Sequence, residues 1–131
     1  MLRDILILCA LPAAVWAQDT PLGAEAFESY TSGKTFGYAA NGVPYGAERY
    51  GPDRSVEWSF LDGECLSGRW YADGPDICFV YEGGPPEQCW RFYREPGGLR
   101  AEFQGASGDT TLYSTAPTDE PLYCLGPKIG V

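Results

Sequence analysis

The chain has 131 residues, a formal net charge of −9 and no histidine. An acidic surface repels phosphate backbones and anionic head groups, so nucleic acid and anionic membrane are excluded as favoured partners. Without imidazole, Ser–His–Asp and Cys–His catalysis are impossible, and the commonest metal ligand is gone.

Met1-Leu2-Arg3 leads into the apolar run Ile5–Leu11, followed by Val15-Trp16-Ala17. This is the layout of a cleavable secretory signal peptide over 1–17, too short for a spanning helix. Cys9 lies inside the apolar run behind bulky Leu8, unlike a lipid-attachment cysteine. Cleavage leaves a single domain over 18–131, expected to be soluble, since no later stretch is apolar for long enough to cross a bilayer.

Next, Leu22 to Phe27 starts a short helix. Gly23 suits the N-cap, Glu25 the positive end of the helix dipole, and Leu22 can staple onto Phe27. Phe27, Tyr30 and Thr31 share one face, and Gly33 is a natural stop. So short a helix must dock to survive.

From Gly33 onward the pattern is β. Strands are predicted over 34–40, 43–50, 55–61, 65–72, 77–82, 88–94, 99–104 and 110–115, separated by turns such as Asn41-Gly42, Asp73-Gly74-Pro75 and Pro96-Gly97-Gly98. Asn-Gly is a strong hairpin signal, because both central residues of a type I′ turn need positive φ. Val56, Trp58 and Phe60 alternate with Glu57 and Ser59, and Leu99, Ala101 and Phe103 alternate with charged neighbours. The 78–81 and 89–93 segments carry bulky groups on both faces, which predicts strands covered on both sides by the helix or a closing edge. The fold class is therefore mainly β: an antiparallel meander of about eight short strands with one N-terminal helix and a C-terminal tail. It forms either a bent sheet or an up-and-down barrel, the barrel preferred.

An exported chain carries its cysteines into an oxidising compartment, so Cys65, Cys78, Cys89 and Cys124 are expected to form disulfides. Four cysteines allow three pairings. Cys78 and Cys89 flank the Gly83-Gly84-Pro85-Pro86 turn and can face each other across a hairpin, which leaves Cys65 to tie down the tail through Cys124. Zinc or redox function would call for close Cys-x-x-Cys or His spacing, which the chain lacks.

Candidate chemistry is sparse. Ser32-Gly33-Lys34-Thr35 ends like a phosphate-binding loop, but Glu28 stands where the first glycine belongs, and the order is helix to strand. Glu57, Asp62, Glu64, Asp73, Asp76, Glu82 and Glu87 fall in turns or on polar strand faces, where carboxylates are ordinarily solvated. No catalytic, cofactor-binding or metal-binding residue is expected, and no cofactor. The aromatic residues are first of all core, with Tyr45, Tyr50 and Tyr71 the candidate binding surface because they flank turns or oppose apolar neighbours.

Ser32-Gly33-Lys34-Thr35, Gly68-Arg69-Trp70-Tyr71, Ile77-Cys78-Phe79-Val80-Tyr81, Cys89-Trp90 and Cys124-Leu125-Gly126-Pro127 together resemble a family of small exported proteobacterial proteins of unknown function. The resemblance implies a periplasmic setting and an antiparallel β domain, and it carries over no functional residue. The chain is also similar in size and character to periplasmic lysozyme inhibitors. Those use a Ser-Gly-x-x-Tyr loop, whereas here Tyr113 follows Ser107-Gly108 at a longer spacing. The function expected is a non-enzymatic periplasmic domain that binds a partner or ligand, or is structural in the envelope. Its partner would be a cationic envelope protein or a small ligand, and the alternatives are an inhibitor of a basic hydrolase or a carrier of a small apolar molecule.

Overall fold

Period-two alternation and glycine-centred turns carry through into eight strands: β1 (Thr35–Ala40), β2 (Val43–Tyr50), β3 (Ser55–Ser59), β4 (Cys65–Asp73), β5 (Asp76–Tyr81), β6 (Gln88–Glu95), β7 (Gly98–Phe103) and β8 (Thr111–Ser114). The structure is a computed structural model that describes residues 9–10, 19–106 and 109–124. Apart from residues 9–10, the signal segment lies outside the described residues, as do Gln18, Ser107-Gly108 and 125–131.

Each strand pairs antiparallel with its neighbour in sequence, and β8 returns to β1 through Tyr38↔Ser114 and Ala39↔Tyr113. The meander is thus a closed up-and-down barrel. Closure leaves no strand edge free to recruit another chain. Asn41 and Gly42 both take positive φ, as the expected hairpin turn requires.

Inward positions carry rings and aliphatics: Phe36 and Tyr38 of β1, Val56 and Trp58 of β3, Ile77 and Phe79 of β5, Trp90 and Phe92 of β6. Outward positions carry Arg49, Glu57, Arg69, Arg91, Arg100 and Glu102. An apolar interior inside a charged exterior is the inverse of a membrane-spanning barrel, whose lipid-facing band is apolar. No helix among the described residues is long and apolar enough to cross a membrane.

One end of the barrel is stoppered by α1 (Ala24–Thr31). Gly23 is its N-cap as expected. Backbone bonds clip the helix at both ends: Leu22 N–H donates to Phe92 O (2.7 Å), Gly33 N–H to Tyr50 O (2.7 Å). Between the clips Phe27 is fully buried, with its ring 4.5 Å from Phe92, 5.0 Å from Trp70 and 5.5 Å from Tyr50. The Thr31 hydroxyl, also buried, donates back to Phe27 O (2.8 Å), so it is satisfied within the helix. Arginines seal the seam outside. Arg94 lies over the Tyr30 ring (3.6 Å) and Arg54 over Trp70 (4.4 Å).

The cysteines pair as the hairpin geometry favours, Cys78 with Cys89 and Cys65 with Cys124. By chain entropy the shorter loop contributes about 3 kcal/mol and the longer about 4 kcal/mol. Of the bulky outward residues of β5 and β6, Cys78 and Tyr93 are covered, whereas Val80 is about half exposed. Cys78 lies between its disulfide partner and Tyr71, which stand opposite it on the flanking strands, and Tyr93 lies under the Arg100 guanidinium (4.4 Å).

Truncating the stopper leaves a void bounded by packed rings. Phe27→Ala is expected to cost about 3–5 kcal/mol in urea unfolding. A loss below about 1 kcal/mol would mean that the barrel closes its own end without the helix.

Candidate functional site

Above the stopper the rings do not fill the barrel. A cavity of about 130 Å³ remains. Tyr50 and Phe92, which rest on Phe27, line its inner end, and Tyr45, Phe60, Pro85 and Gln88 line its outer end near the β1–β2, β3–β4 and β5–β6 turns. Trp58, Phe79 and Trp90 form the side walls. The chamber is therefore closed by α1 below and open among aromatic residues above.

Local sequence explains the mouth. Gly46 faces inward on β2, and a Cβ there would overlap the Trp58 indole, so glycine lets that ring lie across the strand. Tyr45 packs on Trp58 (5.8 Å between ring centroids), and Phe60 stands edge-on to Trp58 (5.5 Å). Phe60 and Leu61 remain about half exposed (48% and 56%), so the rim itself is apolar. Leu61 has φ +72°, a left-handed conformation that a branched side chain adopts at a cost of about 1–2 kcal/mol.

One ionisable residue is sunk into this apolar chamber. Glu48 faces inward between Gly46 and Tyr50 and is 1% exposed. Its Oε1 accepts a hydrogen bond from the Tyr81 hydroxyl (2.5 Å), while Oε2 is buried with no hydrogen-bond partner. No cation among the described residues pairs with Glu48, although Lys34, Arg54, Arg91 and Arg100 all have carboxylate partners elsewhere. Burial away from water pushes the Glu48 carboxyl well above its usual range, and the Tyr81 hydrogen bond only partly opposes that rise. The group is therefore biased toward the neutral acid.

Tyrosines complete the polar floor. The Tyr38 and Tyr50 hydroxyls share a hydrogen bond (2.8 Å), and burial raises the pKa of Tyr38, Tyr50 and Tyr81 alike, so all three stay neutral phenols. Tyr81 reaches Glu48 because its ring lies against Gly68, where a Cβ would collide with it. The glycine of Gly68-Arg69-Trp70 thus has a local reason.

The three expected surface tyrosines separate. Tyr45 is partly exposed (39%) at the mouth. Tyr50 is not on the surface at all. It is 1% exposed, because the last inward position of β2 points it down onto Phe27. Tyr71 is exposed on the outer face, away from the chamber, and its hydroxyl donates to the Glu87 carboxylate.

The remaining candidates are scattered. Glu57, Asp62, Glu64, Asp73, Glu82 and Glu87 are exposed, and Asp76 pairs with Arg91 (2.8 Å). Lys34 pairs with Asp119, and its ammonium lowers the Asp119 carboxyl. Glu87 approaches Cys78 and Cys89, but both sulfurs are consumed in their mutual disulfide and cannot act as thiolate ligands. The sequence does not single out Glu48, since alternation in β2 puts one tyrosine on each side, Tyr45 on one and Tyr50 on the other. No family model, curated protein or solved structure matches the chain.

The unfolded chain ionises Glu48 near the ordinary value of 4.5, the folded chain only well above it. In that interval the folded state holds the extra proton, so stability falls as pH rises, by up to about 1.4 kcal/mol per pH unit. Glu48→Gln removes the loss. Its advantage over the parent is expected to widen from about pH 5 to about pH 7 in paired urea unfolding curves. A pH-independent difference would mean that the carboxyl ionises like an exposed one.

Proposed function

We propose that the protein binds a small ligand of about one ring in size inside the barrel, as a carrier or receptor and not as a catalyst. The observation that carries this reading is the chamber itself: an aromatic-walled cavity of about 130 Å³, stoppered at one end and open at the other. Well-packed cores leave few voids of this size, and an apolar cavity of roughly 150 Å³ holds a benzene-sized guest. Binding pockets characteristically combine apolar walls with a few convergent polar groups, which here are Glu48, Tyr38, Tyr50 and Tyr81. A role in an exported, oxidising compartment fits the apolar leader and the two disulfides. Inhibition of a basic hydrolase rests on net charge, size and overall character, with no site behind it, so it ranks below ligand binding.

The test is an NMR titration of the mature protein with single-ring compounds of neutral, cationic and anionic type, followed at the indole N–H signals of Trp58 and Trp90. At least one compound is expected to shift both signals saturably. Ala101, a small residue lining the cavity, offers the control. Ala101→Leu fills part of the space and is expected to weaken that compound at least about tenfold at a stability cost of about 1–3 kcal/mol. If no compound moves the two indoles at millimolar concentration, the chamber is only a packing defect.

A further inference from the structure

We propose that the preferred ligand is a small organic cation, a protonated amine on a ring-sized apolar group, held with its ammonium on Glu48. The proposal rests on the chamber reading and names the chemistry of its occupant.

Three observations converge. Glu48 lines a space walled by rings, and its Oε2 is buried with no hydrogen-bond partner among the described residues. A buried carboxyl oxygen with no partner is costly, and once the group is ionised a charged donor relieves that cost most fully. The cavity walls include the rings of Trp58, Phe79, Trp90 and Tyr38, and ring faces attract cations, most strongly once water is excluded. The protein itself supplies no counter-charge: every titratable group shown to act on Glu48, namely Tyr38 of β1, Tyr50 of β2 and Tyr81 of β5, is a neutral phenol.

An anionic ligand would meet a buried carboxyl and gain no cation in return. A purely apolar one would seal Oε2 away from water and leave it without a partner. An ammonium satisfies the oxygen, and its hydrocarbon part occupies the aromatic space above. As it enters, the neutral carboxyl gives its proton to solvent and the resulting carboxylate pairs with the ligand. The net charge of −9 adds a long-range attraction for cations at the mouth.

The experiment compares benzylammonium, benzyl alcohol and toluene by calorimetric titration of the mature protein near neutral pH, on the parent and on Glu48→Gln. On the parent, benzylammonium is expected to bind at least about tenfold more tightly than toluene. In Glu48→Gln that advantage is expected to vanish, and an advantage of about tenfold kept by the variant would overturn the pairing with Glu48. Toluene or benzyl alcohol binding as tightly as benzylammonium on the parent would overturn the cation assignment and leave the chamber reading standing. Binding of none of the three would remove both. Should the variant fail to fold, the ranking of the three probes on the parent still decides the assignment.

Discussion

Closure of β8 onto β1 is the constraint from which the rest follows. Eight strands joined edge to edge bury every inward side chain from all directions, so one residue in two must fit a fixed internal volume. Phe27 solves this at one end. A ring carried in from α1 fills the space that the strand residues leave, and backbone bonds to β2 and β6 hold it there. At the other end, among the described residues, Tyr45 and Phe60 stand at the rim and no helix carries a ring inward. The same closure that makes the lower half a core makes the upper half a chamber.

That asymmetry gives Glu48 its meaning. In an open sheet an inward carboxylate could bend toward water, but within a closed wall its one hydrogen-bond partner among the described residues is Tyr81. Its cost in the free protein is tolerable because the group can remain protonated, and stability sacrificed at one residue is a common signature of a binding site. Outside the barrel the charges obey ordinary surface rules. Lys34, for example, pairs with exposed Asp119, and such a pair on a wet face adds little to stability.

Much of the architecture was legible in the residues. The strand runs lie within a residue or two of their observed limits, because alternation has a rigid period of two and turns at Asn41-Gly42 or Pro96-Gly97-Gly98 leave little freedom. Helix α1 was legible through Gly23, Glu25 and Phe27, and the disulfides through the register of one hairpin. The site was much less so. Tyr50 flanks a turn like a surface residue, yet its parity with Gly46 and Glu48 sends it inward. Glu48 is one carboxylate among many in an acidic chain. Only the pairing of β2 with both β1 and β3 places it opposite Phe36 and Trp58. A cavity is a property of packing between strands, and no single strand encodes it.

The most direct test of a neutral carboxyl at the heart of an aromatic chamber is its own titration. Carbon-13 NMR of the ligand-free protein, with glutamate side-chain carboxyls labelled, can follow every glutamate across pH, and Glu48→Gln identifies the signal that belongs to Glu48. The expected result is one carboxyl that stays protonated well above the range in which the exposed glutamates titrate. If the Glu48 signal titrates together with the others, the carboxyl is hydrated. The chamber would then be a water-filled cleft with no stored preference for a ligand.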